Sequence, residues 1–220
     1  MQQPIHIVIP FKHRGAKSRL STILSAKERR LLAFAMLKDV LSAILGFGRA
    51  TVLSRPGLDS AEIGIDVDIL ESELELNDAL NSLIEEEVRR GWPSDILIVM
   101  ADLAILTEKD VVGILNCDGD VVLCPGRGGG TNMILVRSPK FRVSYQGLSF
   151  PKHLAFARMA GLKISVFESF RAGCDIDEPE DLAEVLLHGT GETKKALESF
   201  GFALSEKGRA CLVRRPGCGL

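Results

Sequence analysis

The sequence predicts an α/β fold with three layers, a mostly parallel sheet held between helices. Three observations lead there. Short apolar runs rich in β-branched residues alternate with longer stretches of helical period, the pattern of parallel strands joined by crossover helices. The run "ILIVM" at 96–100 is apolar on both faces, as an interior strand covered from both sides must be. The chain of 220 residues, 46% hydrophobic and 25% charged, has the proportions of one substantial core with an appendage.

The strands predicted in order are Ile5–Ile9, Ala50–Leu53, Ile96–Met100, Val121–Cys124, Asn132–Val136 and Leu162–Phe167. Between the first two, Leu32, Met36, Val40 and Ile44 recur at four-residue steps. Ser25 precedes this helix as N-cap, and Glu28 completes a capping box. A second helix runs from Asn77 to Arg90 and ends at Gly91. Thr107 caps a short third helix, with Asp110 at its N3 position. "SFPKHLAFARMAG" gives a fourth, and "EPEDLAEVLLHG" a fifth, opened by Pro179 and closed by Gly189. These elements make residues 1–190 one domain. Residues 191–220 read as a C-terminal extension: one helix, then a basic tail ending "RRPGCGL" that is mobile or packs on a partner.

A net charge of −2 with interspersed signs gives no general attraction for nucleic acid or membrane. An anion site must therefore be built locally. The cysteines, Cys117, Cys124, Cys174, Cys211 and Cys218, are odd in number and form no C-x-x-C pair, which argues for reduced thiols. No secretory h-region or membrane-length apolar run is present, so a soluble, cytoplasmic protein is expected.

In an open α/β sheet ligands bind at the carboxyl ends of the strands. The first strand empties into "PFKHRGAKSRL", which brings Lys12, His13, Arg14, Lys17 and Arg19 around Gly15. Asp102 follows the central strand, "GRGGGTN" follows the Val121 strand, and "DIDEPEDL" follows the last. A nucleoside triphosphate needs cations and backbone N–H groups at its phosphates, and carboxylates to hold a bridging divalent metal. Lys12, Lys17 and Arg19 supply the countercharge, with glycine allowing close backbone approach. Asp175 and Asp177 flank Ile176 and point the same way on an extended segment, so with Asp102 they suit Mg²⁺. Second readings stand beside these: a solvated basic loop, Asp102 or Asp177 as a helix cap, and "GRGGGTN" as a tight turn. His153 falls on the inner side of its helix and reads as a packed or hydrogen-bonding residue.

Taken together, "IPFKHRGAKSRL", "ADLAILTEKDV", "GGGTNMI", "YQGLSFPKH" and "DIDEPEDL" resemble the nucleotidyltransferase superfamily. Within it they resemble the guanylyltransferases that activate 2-phospho-L-lactate for the 8-hydroxy-5-deazaflavin coenzyme, from about Ile5 to Leu187. The resemblance implies a Rossmann-like sheet of the nucleotide-diphospho-sugar type. It implies a triphosphate on Lys12, Gly15, Lys17 and Arg19, and Asn77 near the nucleobase. Mg²⁺ would lie on Asp102, Asp175 and Asp177, and the phosphorylated three-carbon acid on Thr131, Asn132 and Ser149. Lys17, Asp102 and Asp177 are then the catalytic group. Ala104 stands where the family has a proline after "DL". Homodimers occur in the superfamily, and the apolar helix "LLAFAMLKDVLSAIL" or the C-terminal extension offers a face, though that helix is equally accounted for by its own core. Other readings keep the fold with phosphoenolpyruvate, 3-phosphoglycerate, a sugar phosphate or molybdopterin as acceptor, or make the chain a non-catalytic nucleotide-binding regulator.

Overall fold

Period-two alternation decides which side of the sheet each residue of the first strand takes. In β1 (Ile5–Phe11), Ile7, Ile9 and Phe11 join one apolar core while Val8 joins the other. The computed structural model describes residues 4–92, 94–205 and 210–215. Its main sheet has seven strands in the order β3-β2-β1-β4-β6-β5-β7. The strands are β1, β2 (Arg49–Ser54), β3 (Asp68–Glu71), β4 (Asp95–Val99), β5 (Val121–Pro125), β6 (Thr131–Val136) and β7 (Ile164–Val166). Ile96, Leu97, Ile98 and Val99 of β4 are fully buried, the interior position predicted for that run.

All neighbours are parallel except β6, which runs antiparallel to both β4 and β5. The connection from β5 to β6 is too short for a crossover and can only form a hairpin. This turns the glycine-rich segment into a hairpin loop on the carboxyl rim.

Helices cover both faces. The first core takes Leu32, Met36, Val40 and Ile44 of α1 (Ala26–Ile44), with residues of α2 (Ser60–Ile63), α4 (Glu108–Asn116), α6 (Leu182–His188) and α7 (Glu192–Ser199). The second lies under α3 (Leu76–Arg89) and α5 (Ser149–Met159). The Ser25/Glu28 and Thr107/Asp110 capping boxes both form as predicted. The "PED" segment is a 3-10 turn that leads into α6, and Gly189 closes it.

The predicted Leu162–Phe167 strand shortens to Ile164–Val166, an edge strand that pairs only with β5. The C-terminal segment is integral where it is described. Leu197, Phe200 and Phe202 are buried in the first core, and Asp39 of α1 accepts the backbone N–H groups of Glu192 at 2.6 Å and Thr193 at 2.9 Å. A two-stranded sheet of β8 (Phe202–Leu204) and β9 (Leu212–Arg214) follows, while 216–220, including Cys218, lie outside the described residues. Cys117, Cys124, Cys174 and Cys211 are unpaired. No helix among the described residues is long and apolar enough to cross a membrane.

Candidate active site

β1, β4 and the segment after β7 converge on one point at the carboxyl rim. Lys17 Nζ lies 2.8 Å from Asp102 Oδ2 and 2.8 Å from Asp177 Oδ1. Its side chain is only 10% exposed. Burial opposes the ammonium charge, but the carboxylates of Asp102 and Asp177 outweigh it and raise the lysine above its ordinary range. To reach this point the Lys17 backbone takes a left-handed conformation, φ 55° and ψ 44°, at the head of the 3-10 turn Ser18–Thr22. A non-glycine residue there costs about 1–2 kcal/mol, so the two ion pairs hold a strained loop in place.

The rest of the basic loop divides. Lys12 and Arg19 line a cavity of about 370 Å³ with Lys17, Asp102 and Asp177. Arg19 stands 3.5 Å from both Asp177 and Glu178. Gly15, at φ 64°, lets the loop turn. His13 does not join the cationic surface. It turns inward, its Nδ1 3.0 Å from the Ser54 hydroxyl, and burial followed by the Arg14 and Arg30 charges lowers it.

The two acidic segments are tied through the backbone, Ile176 N–H donating to Asp102 O at 3.2 Å. Helix capping falls to other residues, which sets aside the cap reading for these carboxylates. Asp181 accepts the N–H groups of Asp177 and Glu178 at 2.9 and 2.8 Å, and Thr107 with Asp110 starts α4. Asp102 and Asp177 are thereby left to face Lys17.

Asp175 stands beside them. Burial raises its carboxyl, the Asn132 amide opposes that, and the Asp102 and Asp177 charges push it further up. Asn132, predicted to bind substrate, braces this loop: its Nδ2 donates to Ala172 O at 2.9 Å and to Asp175 Oδ1 at 3.2 Å. Gly126 leaves room for that brace, since a Cβ there would stand 2.4 Å from Asn132 Oδ1.

The donor set fits a hard divalent cation. Asp102 Oδ1 is buried without a hydrogen-bond partner, two carboxylates face the Lys17 ammonium, and a third, Asp175, lies near enough to feel their charge. Among the described residues no three acidic, His or Cys groups close into a ready cage. The predicted trio does not close on one point: Lys17 pairs with Asp102 and Asp177, while Asp175 is tied to Asn132. Mg²⁺ takes one or two carboxylates and completes its shell with water and phosphate oxygens, so it suits this looser set.

Thr131 and Ser149, expected to hold the acid, lie together beyond the glycine-rich hairpin loop, their hydroxyl oxygens 3.1 Å apart. His153, fully buried, joins them through Thr131 at 2.9 Å and accepts the Ser144 N–H on Nε2 at 2.8 Å. Asn77 opens α3 and accepts the Tyr145 N–H at 2.6 Å, so it positions the 143–147 segment.

A basic loop facing carboxylates that follow β4 and β7 on one rim is an arrangement suited to a nucleoside triphosphate, and the comparisons with known proteins give the class, a nucleotidyltransferase. Solved structures agree on the fold. A nucleotidyl transferase from Methanothermobacter thermautotroptrophicus superposes with a TM-score of 0.56 at 17% identity, covering 84% of this chain and 97% of that one. A protein of Desulfovibrio desulfuricans G20, provisionally assigned as a nucleotide-diphospho-sugar transferase, gives 0.75 at 16% identity over 90% of this chain and 95% of its own.

Sequence relatives narrow the class. The model of the family described as "Guanylyl transferase CofC like" matches residues 5–215, and the chain belongs to that family. A 2-phospho-L-lactate guanylyltransferase of Methanothrix thermoacetophila is 52% identical over 94% of this chain and 94% of its own length. One of Archaeoglobus fulgidus is 41% identical over 96% of this chain and 98% of its own.

Proposed function

We propose that this protein joins GTP to 2-phospho-L-lactate, giving lactyl-2-diphospho-5′-guanosine and pyrophosphate for the deazaflavin coenzyme, as a cytoplasmic enzyme with Mg²⁺ as its cofactor. The observation that carries the reading is the Lys17 ammonium held between Asp102 and Asp177 at the mouth of the basic loop. The names of the relatives supply the acid and the guanylyl group, for which GTP is the activated donor.

The nucleophile is a phosphate oxygen of phospholactate, and the bond broken joins the α- and β-phosphates of GTP. A phosphate monoester has its second pKa near ~6, so this oxygen is already anionic at neutral pH and no general base is needed. The protein's task is to hold two mutually repelling anions in line and to stabilise charge on the leaving pyrophosphate. Lys12, Lys17 and Arg19 present cations to the triphosphate, while Thr131 and Ser149 hold the acid. When bound, Mg²⁺ on Asp102 and the Asp175/Asp177 segment neutralises phosphate charge.

The reading is tested by pyrophosphate release with each common nucleoside triphosphate against 2-phospho-L-lactate, phosphoenolpyruvate and 3-phosphoglycerate. Release with GTP and phospholactate is expected. Release with GTP and another acid would keep the mechanism and change the substrate. Silence with every pair would favour a nucleotide-binding regulator.

A further inference from the structure

The hydrogen-bond chain behind the hairpin loop has a direction, and it is fixed from one end. The Ser144 backbone N–H lies 2.8 Å from His153 Nε2. A backbone amide only donates, so Nε2 carries no proton. In the neutral ring the proton is then on Nδ1, 2.9 Å from Thr131 Oγ1, and the threonine oxygen must accept it. Burial keeps the ring neutral by pushing His153 down to about 4. Phe141 and Tyr145 pack on the imidazole at 5.8 and 5.1 Å between centroids and hold its orientation.

Proton counting gives the consequence. Thr131 and Ser149 share one hydrogen bond at 3.1 Å, which uses one of their two hydroxyl protons whichever residue donates. His153 occupies a lone pair of Thr131 and uses neither proton. One hydroxyl proton of the pair is left over. An acceptor-type His153 would instead have absorbed it. Ser149 also opens α5, an 11-residue helix with no acidic residue in its first turn and no side-chain cap, so the positive end of its dipole lies beside the pair.

We propose that His153 is a positioning residue: through its Nδ1–H it makes the Thr131–Ser149 pair a net hydrogen-bond donor that selects an acceptor-only, anionic oxygen of the acid substrate. The identification of that anion as a phosphorylated acid rests on the proposed guanylyltransferase reading, whereas the polarity of the pair does not.

The test has one arm free of activity. In protein labelled with ¹⁵N-histidine, His153 is expected as the neutral Nδ1–H tautomer at pH 7. The Nε2–H tautomer, or a cationic ring, would overturn the proposal. The second arm uses variants in the pyrophosphate assay. His153→Leu removes the donor and should raise the KM for phospholactate about 10-fold or more, with the KM for GTP unchanged. His153→Asn keeps an N–H near the Nδ1 position and should stay within a few-fold of wild type. A merely structural role would lower thermal stability and move both KM values together, with no rescue by asparagine, and that result would also overturn it. If wild-type protein releases no pyrophosphate with phospholactate, the functional reading fails, and the tautomer still decides the proposal.

Discussion

Lys17 Nζ and Asp102 Oδ2 lie 2.8 Å apart across 85 positions of the chain, joining the basic loop after β1 to the acidic end of β4. With Asp177 this contact fixes a cation and two anions at one point before any ligand arrives. The geometry makes Lys17 and Asp102 parts of one electrostatic device, and its members should fail in different ways when altered.

Asp102→Asn keeps the side-chain shape and an oxygen for Lys17 but removes the charge. Turnover should fall on the order of 100-fold or more, the scale of losing one preorganised electrostatic contact. The fold should stay intact with a modest loss of thermal stability, because one of the two ion pairs that hold the Lys17 loop loses its charge. Activity within a few-fold of wild type would remove Asp102 from the site.

Lys17→Ala should cost about 3 kcal/mol of transition-state stabilisation if the ammonium faces the reacting phosphates. Steady-state kinetics should show this as a loss in kcat. A rise in KM with kcat untouched would make Lys17 a ground-state binding residue.

Acid should weaken the fold through its buried histidines. His153 is pushed down to about 4 from 6.5 by burial, so between these values the unfolded chain takes up a proton that the folded one does not. Its contribution is complete above about pH 6.5, declines as pH falls and levels off below about 4; the gap corresponds to about 3 kcal/mol. His6 and His13 lean the same way, each chiefly through burial. Urea unfolding across this range should show a steep loss in wild type and a shallower one in His153→Leu. Parallel curves would contradict the assignment.

Arg214 clasps the C-terminal strand to the loop that carries Arg19. Its guanidinium donates to Ile23 O at 2.8 Å, to Phe200 O at 3.1 Å and to the buried carboxylate of Glu28. Arg214→Ala should lower stability by about 2 kcal/mol in urea unfolding, because Glu28 loses a charged donor. Arg214→Lys should recover less than half of that, since one ammonium cannot span three acceptors. Full recovery by lysine would mean that only the charge matters.

Much of this was legible in the sequence because local rules and tertiary environment agree. The four-step row Leu32 to Ile44, the Ser25/Glu28 box and the apolar 96–99 run each carry a physical signature, and all three appear where predicted. β3 leaves no signal in the sequence because "DILE" is a largely exposed edge strand with acidic ends, made a strand by pairing with β2 rather than by its own pattern. In the candidate site, residue types pointed to the carboxyl rim, where the structure gathers Lys17, Asp102 and Asp177, but pairings between distant residues left no local trace. Nothing near Lys17 announces that it will bridge Asp102 and Asp177. Nor does "SFPKH" show that His153 will hold Thr131 from behind. One cue was available for Asp177: the acid four residues later, Asp181, is well placed to cap the turn and leave Asp177 for another task.

The central claim is tested most directly by following the phosphorus atoms themselves. In a ³¹P NMR time course with wild-type protein, GTP, Mg²⁺ and 2-phospho-L-lactate, the account predicts loss of the phospholactate monoester signal. A diphosphate diester joining its phosphorus to the α-phosphorus of GTP should grow in step with pyrophosphate. An unchanged monoester signal while GTP stays intact or is merely hydrolysed would contradict it.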